Sequence, residues 1–215
     1  VRFIDAVLVR VHGIRIFADD PECILRITRR PRMLREPVAL PDGTWLDAGA
    51  KIVEIHFWNE HLPAIEEDGA DLLWGRQFGR RLAHSLRLLA AHASGDLSLA
   101  DFAAIHGRLG FIQRDEVESF KRLAGRFGLL LELQTAAGLR FWKGAFWAGL
   151  YSWWLMWTFN PETLRRKRFR DIALSDLWMT RAVMLDRYGL YDRSRGLDDR
   201  SREGPDGGSR EVPGD

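Results

Sequence analysis

Glu54, His56, Asn59, Glu60 and His61 stand close together within residues 51–63, KIVEIHFWNEHLP, a strand that runs into a polar corner. Alternation over residues 51–58 puts Val53, Ile55 and Phe57 on one face of a strand and Ile52, Glu54, His56 and Trp58 on the other. Glu54 and His56 therefore share a face, the arrangement in which a carboxylate orients an imidazole as a general base. Glu60 or His61, on the turn that follows, would complete such a site. The same corner, His56, Asn59, Glu60 and His61, is equally suited to holding a polar ligand. The spacing of His56 and His61 fits no metal-binding motif, so neither a metal nor a cofactor is expected. His12, His84, His92 and His106 lie in separate segments and read as surface or hydrogen-bonded histidines. The chain has no G-x-S-x-G elbow and no phosphate-binding glycine loop.

The elements that must position this corner follow from periodicity. Residues 3–13 carry Ile4, Val7, Leu8 and Val11 at helical spacing, closed by Gly13. Residues 23–30 alternate as a half-buried strand ended by Pro31, with Cys23 on its apolar side. Turn residues Pro41, Asp42 and Gly43 then make a small antiparallel unit that leads into residue 51. After Pro63, Glu66, Glu67, Asp68 and Asp71 open a long helix reaching about His92. Its apolar stripe is Trp74, Phe78, Leu82, Leu86 and Leu89; Arg76, Arg80, Arg81 and Arg87 form the opposite, solvated face. A strand is expected over residues 104–108, a helix from Asp115 to Gly128, and a buried strand over residues 129–134. Residues 176–180 read as a strand, Thr180 as an N-cap and residues 181–188 as a helix. These elements make an α+β domain over residues 1–191, with a mixed sheet of about four to six strands packed by long helices. Residues 192–215 have too few apolar side chains to offset the entropy of ordering and read as a disordered tail.

Residues 139–159, LRFWKGAFWAGLYSWWLMWTF, hold five of the nine tryptophans: Trp142, Trp147, Trp153, Trp154 and Trp157. Its uncharged part, from Gly144 to Pro161, is shorter than the roughly 20 apolar residues of a membrane span and is interrupted by Gly149 and Ser152. Three readings stay open: a core helix, a helix lying on a membrane, and a surface for a partner or a homodimer. The second draws on Arg165, Arg166, Lys167, Arg168 and Arg170, which follow closely and would attract anionic lipid by about 1 kcal/mol per charge.

Composition narrows the function classes. Thirty-two basic residues against 30 acidic ones give a net charge of +2, and no nucleic-acid motif interleaves the arginines, so no nucleic-acid partner is expected. A single cysteine excludes an internal disulfide. With no export signal at the start, a cytoplasmic chain, peripheral on the inner membrane and not secreted, is the expectation.

Three segments carry a resemblance: DAGAKIVEIHFWNEHL at residues 47–62, AGRFGLLLEL at 124–133 and DLWMTRAVMLDRYG at 176–189. Together they resemble the YkoP-like domain, a bacterial module found alone or appended to polysaccharide-deacetylase-type proteins, with Gly49, His56 and Asn59 as its characteristic feature. The resemblance implies a role in envelope glycan biology, with a lipid-linked glycan as ligand or an envelope-glycan enzyme as partner. It does not carry over deacetylase catalysis. Asp19 and Asp20 form the nearest acidic pair, and no H-x-x-x-H follows them. The expected function is thus a non-catalytic accessory or binding module at the membrane surface. The alternatives are a small hydrolase or transferase using His56 and Glu60, and a structural dimerisation domain.

Overall fold

The computed structural model describes residues 13–63, 72–113, 117–133 and 172–189. In chain order they form β1 (Ile14–Arg15), β2 (Leu25–Thr28), β3 (Arg32–Met33), β4 (Val38–Ala39), β5 (Trp45–Leu46) and β6 (Lys51–Phe57). There follow α1 (Leu72–Gly95), β7 (Ala104–Gln113), α2 (Val117–Arg126), β8 (Leu130–Leu133), β9 (Ile172–Thr180) and α3 (Arg181–Tyr188). Single 3-10 turns lie at Asn59–His61 and Leu97–Leu99.

The expected α+β architecture is what forms. Seven strands make one mixed sheet in the order β1-β2-β6-β7-β9-β8, with β3 also on β6, while β4 and β5 pair as a separate hairpin. The sheet exceeds the four to six strands read from the sequence because β3 resumes pairing along β6 after Pro31, where the alternation ends. Among the described strands only β6 and β7 run parallel. A parallel pair needs a long crossover, and α1 lies in the connection between them.

Helices cover one face of the sheet. Leu82, Leu86, Leu89, Ala90 and Ala93 of α1 are buried against a face built from Val53, Ile55, Ile105, Leu177 and Met179, with Ala124 of α2 and Met184 of α3 in the same core. The stripe read on α1 is therefore its core face, and the helix continues past His92 to Gly95. Arg81 departs from the basic face read for it: it turns inward and donates to the His61 carbonyl at 2.6 Å. Gly128, with φ +74°, closes the turn after α2, where a side chain would run into Arg187 and Val183. Thr180 caps α3, its hydroxyl accepting from the Val183 N–H at 3.3 Å.

The opposite face is shared between two coverings. Leu34, Leu40 and Leu46 pack over Ile52, Ala104 and Trp178 at one end. Beyond them β6, β7 and β9 present polar side chains. β2 is covered on both faces, not half-buried as its alternation implied, for Arg26 and Thr28 are buried along with Leu25 and Ile27. The helix expected over residues 3–13, the acidic residues expected to open the long helix, the tryptophan-rich segment with its basic cluster, and the tail all lie outside the described residues, except Gly13.

Candidate functional site

Register builds a polar row across the sheet. Glu54 of β6 pairs with His106 of β7, which pairs with Trp178 of β9, and Asp176 stands opposite Arg108. Because partners across a ladder share a face, Glu54, His106, Arg108 and Asp176 all emerge opposite the helices. His106 is 4 % exposed. Its Nε2 lies 2.9 Å from Asp176 Oδ1. An ionised carboxylate only accepts, so Nε2 carries the proton and donates it to Asp176. Nδ1 is 4.0 Å from Glu54 Oε1, beyond hydrogen-bond reach, and the Trp178 ring packs at 4.2 Å between centroids. Arginines close the row at both ends: Arg32 Nε reaches Glu54 at 3.1 Å, and Arg108 Nε stands 3.7 Å from Asp176. The result is an alternation of charge, Arg32–Glu54–His106–Asp176–Arg108, across four strands.

The strand-end corner is a second constellation, held by α1. Ser85 accepts from the Ile24 N–H at 2.8 Å, and the Ile24 carbonyl accepts from Trp58 at the same distance. His61 Nδ1 lies 2.9 Å from the Cys23 carbonyl, so Nδ1 bears the proton and Nε2 keeps the lone pair. Its ring stacks on Trp58 at 3.7 Å, and the Arg26 guanidinium sits 4.6 Å from the same indole. Glu60 accepts from Trp58 Nε1 at 3.2 Å and stands 3.8 Å from Arg26. Asn59 opens the 3-10 turn that carries Glu60 and His61.

The residues singled out in the sequence thus separate into two places. Glu54 belongs to the sheet-face row. Trp58, Glu60 and His61 form the corner, and His56 lies on β6 opposite Arg26. Sequence reasoning passed over His106, Asp176, Arg32 and Arg108 as site residues. A signal was there: β7 and β9 each carry polar residues in one phase of an otherwise apolar alternation, His106 with Arg108 and Asp176 before Trp178. Cys23 is fully buried, its Sγ facing the Leu25 carbonyl at 3.4 Å, and burial pushes its thiol pKa up, so it is no nucleophile at neutral pH. Among the described residues no group of three or more His, Cys, Asp or Glu side chains is placed to hold a metal ion. No described helix is long and apolar enough to cross a membrane.

Away from both places, Arg15 Nη2 holds Asp96 at 2.7 Å, beside His92. The Asp96 carboxyl is held well below the usual range by Ser98 and by Arg15. His92 is also held below its usual value, by burial first and by Arg15 second, which together outweigh the attraction of Asp96 at 3.4 Å. A histidine whose pKa falls on folding binds fewer protons than in the unfolded chain. Its contribution is therefore complete above about pH 6.5 and is lost as pH falls through the folded value. Urea midpoints of the wild-type chain are expected to drop between about pH 7 and pH 5, and those of His92→Gln to drop less. Parallel profiles for the two proteins would show that His92 does not carry the dependence.

Comparisons of the chain with family models, with curated proteins and with solved structures give no significant match in any of the three.

Proposed function

We propose that this chain is a non-catalytic binding module that recognises a polar ligand on its sheet face. It works at the cytoplasmic membrane surface alongside an enzyme of envelope polysaccharide metabolism. The observation that carries binding over catalysis is the placement of His106. A general base must come within hydrogen-bond reach of the proton it removes. His106 is enclosed by Trp178 and held by Asp176, whereas the accessible groups around it, Arg32, Arg108 and Glu54, are suited to holding a ligand. Support for the membrane part comes from Trp142, Trp147, Trp153, Trp154 and Trp157 with Arg165, Arg166, Lys167 and Arg168, and from Trp45 and Met33, each 60 % exposed. The glycan part rests on the resemblance to the YkoP-like domain.

The test uses the whole chain. It is sedimented with vesicles of phosphatidylglycerol or phosphatidylcholine at low and high salt, and titrated in parallel with short oligomers of N-acetylglucosamine under amide NMR. Salt-sensitive binding to the anionic vesicles is expected, with saccharide-dependent shifts on β6, β7 and β9 and no cleavage of the oligomer. Absence of both kinds of binding would overturn the reading. Cleavage would overturn its non-catalytic part.

A small hydrolase or transferase with its base at the strand end has one observation in its favour. The Cys23 carbonyl fixes His61 in the tautomer whose Nε2 accepts protons.

A further inference from the structure

Arg29, Arg30 and Arg32 are brought together by an irregularity in the sheet. Ile27 pairs with Ile55, and Arg32 pairs with Ile52. Between these pairings, residues 28–31 stand opposite residues 53–54, four against two, so the line formed by β2 and β3 carries two extra residues. Such a bulge breaks the ladder locally and redirects side chains. A side chain and the backbone of Gly13 take over part of what the ladder loses. Thr28 Oγ1 accepts from the Glu54 N–H at 3.3 Å, where a ladder carbonyl would otherwise serve. The Arg29 N–H donates to the Gly13 carbonyl at 2.7 Å, and Pro31 has no N–H to satisfy.

The bulge borders a depression of about 530 Å³ lined by Gly13, Thr28, Arg29, Arg30, Pro31, Arg32 and Glu54. Arg29 and Arg30 are exposed and, among the described residues, stand in no ion pair. Arg32 gives Nε to Glu54 and is 53 % exposed, which leaves its terminal nitrogens for another acceptor. Three guanidinium charges against one carboxylate leave an excess of two positive charges around the depression.

We infer that this depression is a binding site for a phosphoryl group attached to a hydroxyl-bearing molecule, a sugar phosphate or the headgroup of a phosphoglycerolipid. Three arginine forks exceed what one carboxylate can accept, since its two oxygens are filled by a single bidentate arginine. A phosphate monoester, as in a sugar phosphate, offers three terminal oxygens and close to two negative charges, which matches the excess; the phosphodiester of a lipid headgroup offers two oxygens and one charge, which meets half of it. Glu54, with lone pairs beyond those facing Arg32, accepts from the hydroxyl next to the phosphate. This inference rests on the reading of the sheet face as a binding surface and names the ligand class for its Glu54 end.

The experiment titrates the whole chain with glucose 1-phosphate, glucose and inorganic phosphate, and sediments it with phosphatidylglycerol vesicles, for the wild type, Arg29→Gln/Arg30→Gln and Glu54→Ala. Glucose 1-phosphate is expected to bind more tightly than phosphate, and glucose not to bind. The double arginine variant should lose about tenfold or more in affinity per arginine, and Glu54→Ala, which removes the acceptor, should bring glucose 1-phosphate down to the level of phosphate. Binding to vesicles alone, lost in the arginine variant, would identify the phosphoryl source as lipid. Binding of glucose 1-phosphate that is equal in wild type and arginine variant would overturn the inference while leaving a sheet-face module standing. Failure of every probe in the wild type would overturn it too, and the N-acetylglucosamine titration then decides the module separately.

Discussion

Ile105→Ala is expected to lower the unfolding free energy by about 2–5 kcal/mol, the largest effect of any single truncation considered. Ile105 is fully buried on β7, between β6, with which it pairs through Val53, and β9, with which it pairs through Met179. Its side chain fills the layer between the sheet and α1. A cavity there is bounded on two sides by hydrogen-bonded strands, which cannot close in without breaking the ladders that hold the polar row in register. Thermal unfolding should move down by about 4–20 °C. Ile105→Val, which removes one methylene, should cost about 0.5–1.5 kcal/mol. Urea unfolding of both variants checks the pair. A loss for alanine no larger than for valine would mean that β7 is not packed as described.

Asp176→Ala is expected to cost about 1–3 kcal/mol, because it leaves the buried His106 Nε2–H without its acceptor. Arg108 loses its carboxylate in the same change, but at 53 % exposure water replaces it. Asp176→Asn, which keeps an accepting oxygen, should cost less. The cycle of Asp176→Ala, His106→Ala and the double variant isolates the pair. A coupling of about 0.5–3 kcal/mol is expected, and purely additive losses would mean that the two side chains do not support each other.

These residues also mark the boundary of what one sequence discloses. The alternation over Lys51–Phe57, the cap at Thr180 and the stop at Gly128 were all legible, because each depends on neighbours within a few residues. His106 and Asp176 were not joined. They lie 70 positions apart, and what brings them together is the register of β7 on β9, a choice made by the whole sheet. For Arg32 the reason differs. Pro31 is a sound signal that a strand stops, yet here it sits inside the bulge, and the chain picks up the same partner strand one residue later. The corner was half legible. Trp58, Glu60 and His61 are near in sequence and meet in space, but the Cys23 carbonyl that orients His61 comes from 38 positions away.

The bulge has a further consequence for how such a surface can arise. Pairing sums along β6 change from 82 (Ile27 with Ile55) to 84 (Arg32 with Ile52), a shift of two. An even shift keeps strand parity, so Arg26 before the bulge and Arg32 after it both face the Glu54 side. A single inserted residue would have turned the whole of β3 over. The arginine-lined depression is thus a module of two residues, which a lineage or a protein engineer can add or delete without rewriting the inward and outward pattern on either side. Variation in length at this point of the chain is expected to come in pairs.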